Sequence, residues 1–243
     1  YEPFTNEMCR FVADLVKSGT KLILLDDDLV LSVRPGFTCA CPLHLSEFNR
    51  RSGKSFTREE LASLFTGEPN EMRSLYMDIM GETITDFCRR LRKAADVVSA
   101  EINSTPVRMG LCLSYTHFDL EGVKIKNVAR LLAGGHKPLL RLSGAPYWAC
   151  FSPRYEKQSL LGVAEFMRMQ KGWLKDSGIE LLDENDPHPR VHTVVPASFI
   201  ECYDKISIAT SGIGRLKYIM NYGSRRDIGD TAYIDAHIEN LES

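Results

Sequence analysis

Five short apolar runs, each separated from the next by amphipathic helical stretches, set the limits on what this chain can fold into. The runs are Lys21–Leu25, Val107–Ser114, Pro138–Ser143, Ile179–Asp183 and Arg215–Met220. Each is short, apolar and bounded by turn residues, as expected of strands buried on both sides in a parallel sheet. Between them, apolar residues recur at helical spacing. Met8, Phe11, Val12 and Leu15 mark an opening helix that Gly19 ends. Thr57-Arg58-Glu59-Glu60 has the capping-box form at a helix start. A long helix is predicted from about Asn70 to Ile102, with Gly81 as a point of bending. Further helices carry Ile125, Val128, Ala129 and Leu132, then Leu160, Val163, Ala164 and Met167, then Phe199, Cys202, Tyr203 and Ile206. A polar tail with one weak helix ends the chain.

Strand–helix alternation of this kind predicts an α/β fold, either a doubly wound sheet or part of a (β/α)8 barrel. Polar residues cluster just after the strands: Asp26 to Asp28, Ser114 to His117, Arg141 to Ser143, Glu184 to Arg190, and Asn221-Tyr222. Barrel active sites lie on that C-terminal face, whereas a doubly wound sheet concentrates its site at one switch point. Neither a GxGxxG nor a GxxxxGK[ST] loop is present, which disfavours a nucleotide-binding sheet. The reading is therefore a TIM-type (β/α) barrel, residues 1–243 as one domain or barrel fragment, with residues 31–69 a loop and helical excursion after the first strand.

Composition narrows the classes. Hydrophobic residues make up 44% and charged residues 26%, enough for a packed core. A formal net charge of −2 lacks the basic excess of a duplex binder, so no nucleic-acid partner is expected. No apolar run approaches the roughly 20 residues of a membrane-spanning helix, so no membrane partner is expected either. Seven cysteines, an odd number lying mostly in apolar segments, read as free thiols in a reducing compartment, hence a cytoplasmic protein.

The sharpest chemical segment is Glu180 to Arg190, where an apolar strand runs into Asp183-Glu184-Asn185-Asp186 and then a turn holding Pro187, His188, Pro189 and Arg190. Prolines restrict such a loop and preorganise what it holds. A charged loop rim fits the same residues equally well. Asp26-Asp27-Asp28 follows another strand. Three adjacent acids repel, so burial would raise at least one pKa and make a general acid of it. A solvated acidic turn is the bland reading. Two strand-end carboxylates on one barrel match what glycoside hydrolysis requires. Tyr115, His117, Tyr147 and Trp148 supply aromatic and polar groups near strand ends. Cys39-x-Cys41-x-x-His44 has ligand types and spacing suited to zinc. With no evident fourth ligand (Cys9 and His136 are remote), a plain pair of loop thiols comes ahead of a bound metal.

Two patches carry a resemblance. LLDDDLVL, GFTCACPLHLSEFN and TREEL resemble the fourth-strand region of bacterial beta-galactosidase-like glycoside hydrolases, and LLDENDPHPRVHTVVPASF resembles their seventh-strand region. The resemblance implies Glu184 as nucleophile and Asp28, with Asp27 second, as acid/base, where the well-known families carry Asn-Glu. It implies a retaining hydrolase of a beta-linked sugar with no organic cofactor and, at most, a structural zinc on Cys39, Cys41 and His44. Tyr115, His117, Arg141, Trp148, His188, Arg190 and Tyr222 become substrate-shaping residues, and carbohydrate the partner. The five strands would then be strands four to eight, with strands one to three before Tyr1. The missing strands would come from a longer polypeptide or from another copy in a homo-oligomer. Retention predicts a carboxyl separation of about 5–6 Å, inversion about 7–9 Å. Two other readings stay open. One is a degenerate, carbohydrate-binding barrel. The other is a metal-dependent isomerase or lyase using Asp28, Glu184 and a His.

Overall fold

The computed structural model describes residues 2–26, 29–31, 39–113, 122–144, 146, 160–185, 195–210, 214–217 and 231–241. The elements follow the predicted alternation: α1 (Glu2–Lys17), β1 (Leu22–Leu25), α2 (Pro42–Ser52), α3 (Arg58–Ser63), α4 (Glu71–Glu101), β2 (Arg108–Cys112), α5 (Ile125–Leu132), β3 (Leu139–Arg141), α6 (Leu160–Trp173), β4 (Glu180–Asn185), α7 (Ala197–Thr210), β5 (Gly214–Lys217) and α8 (Ala232–Asn240). Hydrogen-bonded strand order follows the chain, β1-β2-β3-β4-β5. Contacts divide the chain into two units, Tyr1–Leu139 and Leu140–Ser243, with the division inside β3.

In the first unit β1 runs parallel to β2, pairing Leu22 with Arg108 through Leu25 with Leu111. Gly110 of β2 lies so close to the Leu139 backbone that a Cβ there would meet its carbonyl oxygen at 2.8 Å. Gly19, at φ +87°, ends the turn after α1, because an L side chain disfavours that left-handed conformation. Helix α4 runs without interruption across Gly81. The glycine instead lets the helix touch backbone: a Cβ on it would sit 2.2 Å from the Gly122 carbonyl oxygen. Residues 39–69 of the excursion pack onto α4, where Phe48 and Leu61 join Tyr76, Ile79 and Met80 of α4 in one core. The predicted capping box is present, with Thr57 Oγ1 accepting from the Glu60 N–H and the Glu60 carboxylate accepting from the Thr57 N–H.

In the second unit β4 runs parallel to β5, pairing Leu182 with Gly214 through Asn185 with Lys217. The Leu142 N–H donates to the Leu182 carbonyl at 2.8 Å, bridging the chain after β3 to β4. Gln170 of α6, fully buried, accepts from the Ser143 N–H at 3.0 Å and donates back to the Ser143 carbonyl, which pins the turn that follows β3. Strand β4 is longer than its apolar run suggests, so Glu184 lies within the strand rather than just past it. Helix α7 also departs from expectation. Its buried face is Ile200, Glu201, Tyr203, Asp204 and Ser207, while Cys202 is exposed.

Candidate active site and thiol–imidazole cluster

Strand geometry explains what β4 presents. Successive side chains point to opposite faces of a strand. Asp183 and Asn185 take one face, the one covered by α7, and Glu184 takes the other. Tyr203 Oη donates to Asp183 Oδ1 at 2.9 Å and Ser207 Oγ donates to Asp183 Oδ2. Asn185 Nδ2 donates to Asp204 Oδ1 and to the Ile200 carbonyl. Asp183 and Asn185 are fully buried, so these bonds anchor β4 to α7.

Glu184, on the opposite face, is ion-paired with Arg141 Nη1 of β3. Arg141 is 2% exposed and Glu184 7%. A guanidinium beside a buried carboxylate favours its charged form, the form a nucleophile needs. The side chain expected to shape substrate therefore sits directly against the expected nucleophile. Asp26 is exposed just beyond β1. Asp27, Asp28, Tyr115, His117, Tyr147, Trp148, His188, Arg190 and Tyr222 lie outside the described residues. So does the expected carboxyl separation.

What sequence reasoning missed is the buried network that joins Asp183 and Asn185 to Tyr203, Asp204 and Ser207. The signal was present as Glu201, Asp204 and Ser207, three polar residues at helical spacing that flank Tyr203.

In the first unit, Cys39, Cys41 and His44 come together, with ligand atoms all within 4.8 Å of one another. Cys41 Sγ lies 3.4 Å from His44 Nδ1. Two ligands of one tetrahedral zinc ion stand about 3.5 Å apart. His44 Nε2 lies 3.3 Å from Thr83 Oγ1, which fixes the ring as a partner behind a metal-bound imidazole would. Burial lowers the His44 pKa below its ordinary 6.5, so the ring is neutral near pH 7. Burial also pushes Cys41 up, but the His44 and Leu43 backbone N–H groups and the Cys39 thiol outweigh it and hold Cys41 below 9.0. Those N–H groups belong to the first turn of α2, for which Cys41 is the N-cap. Burial raises Cys39, which keeps its proton more readily. The donor set therefore fits a borderline metal such as zinc. Neither suggested fourth ligand joins it: His136 Nε2 lies 2.7 Å from the Pro106 carbonyl, and Cys9 is not in the cluster.

No helix of the described residues is long and apolar enough to cross a membrane. Among the described residues, Cys9, Cys39, Cys41, Cys88 and Cys202 are free thiols. No family model matches the chain, and no curated protein matches it in sequence. Among solved structures it is similar to the glycoside hydrolase domain of PgaB (BpsB) from Bordetella bronchiseptica, with a TM-score of 0.61 at 14% identity, over 98% of this chain and 62% of that one. The chain thus spans less than two thirds of that structure, and what the likeness establishes is an α/β, glycoside hydrolase-like fold.

Proposed function

We propose that this chain is the carboxylate-bearing part of a beta-galactosidase-like TIM-barrel glycosidase that cleaves a beta-linked sugar with retention. The single observation behind this reading is the buried Arg141–Glu184 pair, on the β4 face opposite the one sealed by α7. In a (β/α) barrel the face opposite the helices turns inward, and active sites are built at the C-terminal ends of the strands, the end of β4 at which Glu184 lies. Glu184 attacks the anomeric carbon while Asp28, or Asp27, protonates the departing oxygen. Water then cleaves the glycosyl–Glu184 ester. Arg141 keeps Glu184 charged and aimed. Tyr115, His117, Trp148, His188, Arg190 and Tyr222 shape the sugar. The free thiols fit a cytoplasmic protein. The Cys39–Cys41–His44 cluster takes a structural zinc, with its fourth position outside the cluster.

The test is covalent trapping. A 2-deoxy-2-fluoro β-glycoside with an activated leaving group forms the glycosyl ester but slows its hydrolysis. Incubated with a polypeptide that carries this chain together with the remaining barrel strands, it should add one sugar mass to the peptide carrying Glu184, and Glu184→Gln should abolish the label. A label elsewhere would move the nucleophile. Sugar binding without any label would favour the degenerate, carbohydrate-binding barrel instead.

A further inference from the structure

The buried polar face of α7 does more than hold β4. Glu201 and Asp204, one turn apart on α7, meet His237 of α8, and their ligand atoms all lie within 4.8 Å of one another. We propose that Glu201, Asp204 and His237 form a second metal site, for a zinc-class divalent ion, independent of the role of Glu184.

Three observations carry this. The first is chemistry. Glu201 is 6% exposed and Asp204 8%, so two carboxylates lie side by side largely out of water. Carboxylates brought together in that way repel, and a cation shared between them relieves the repulsion. Two carboxylates and one imidazole form a donor set for zinc and its neighbours, whereas calcium and magnesium prefer oxygen alone.

The second is geometry. His237 Nδ1 stands 3.6 Å from Glu201 Oε2. Two ligands each about 2.1 Å from one ion span about that distance at a near-tetrahedral angle. The third is support and access. Asn185, fully buried in β4, donates from Nδ2 to Asp204 Oδ1 and so orients that carboxylate from behind. The three ligands line a cavity of about 490 Å³ that leaves room for water or an exogenous ligand on the ion. Lys205 also lines this cavity, and its side chain is exposed, so its ammonium can stay in solvent. Because Asn185 is the next residue after Glu184, an ion here would brace the candidate nucleophile through one strand position.

The experiment uses the full chain with Cys39→Ser and Cys41→Ser, which silences the thiol cluster. Chelator-stripped protein is dialysed against zinc and its metal content measured. About one zinc per chain is expected, with Glu201→Gln and His237→Ala each weakening it at least tenfold, and Asn185→Ala weakening it about tenfold. Glu201→Gln preserves side-chain shape, so it decides the matter if His237→Ala melts without a cooperative transition. No zinc retained by the double-serine protein, or retention indifferent to Glu201→Gln, overturns the site.

Discussion

Arg141 and Glu184 are each expensive to bury alone and tolerable together. Removing one leaves an uncompensated charge, at a cost of about 3–5 kcal/mol, whereas replacing both with apolar groups of similar size is often neutral. Arg141→Met should therefore lower unfolding stability strongly, and Arg141→Met with Glu184→Met should recover most of the loss in a urea denaturation cycle. Additive losses would show that the two side chains do not depend on each other. His44 gives a pH signature. Its folded pKa lies below the ordinary 6.5, so below neutrality the unfolded chain binds more protons and stability falls as pH drops through that range. Thermal melts should decline from pH 7 toward pH 5, and His44→Gln should flatten that decline; an unchanged profile would remove His44 as its source. At this scale the sequence was legible where close spacing brings side chains together, as in Cys39-x-Cys41-x-x-His44, whose ligand atoms the fold gathers. It was silent on Asp183, because only the period of two along β4 decides that Asp183 faces α7 while Glu184 does not.

Elements were legible in proportion to their length and to how local their signals are. The α3 start rests on side-chain to backbone bonds between Thr57 and Glu60, all within four residues, so the sequence alone locates it. Thr57→Ala should cost ~1 kcal/mol of unfolding free energy; a loss within error would mean that packing of Leu61 alone fixes that helix. Helix α7 shows the opposite case. Apolar spacing nominated Phe199, Cys202, Tyr203 and Ile206 as its inward stripe, yet Glu201, Asp204 and Ser207 are buried and Cys202 is not. Hydrophobicity is a one-way guide: polar groups go inside when partners await them, and here Asp183, Asn185 and His237 are those partners. The same tertiary bonding extends β4 through Asn185, past the point where apolar residues stop.

For the whole molecule, strand order was readable because each crossover returns the chain beside the strand just left. What a sheet of five strands does at its ends was not. Among the described residues β1 and β5 are the outer strands, and Leu22 of β1 is 41% exposed. An outer strand with unpaired N–H and C=O groups is a template for another strand. The 243-residue chain is therefore expected to self-associate as its concentration rises, and Leu22→Lys should suppress this in light scattering. A wild-type chain that stays monomeric throughout would mean that the β1 edge is already covered. Helix α4 and the segment before α5 hold a different kind of information. Gly81 has no room for a methyl group against the Gly122 carbonyl, and Gly122, at φ +60°, has none against the Met77 carbonyl. What holds these two positions to glycine is the close approach of backbone. Any chain that keeps this crossing of two backbones should therefore keep a glycine at both positions, whatever it carries at the position of Glu184.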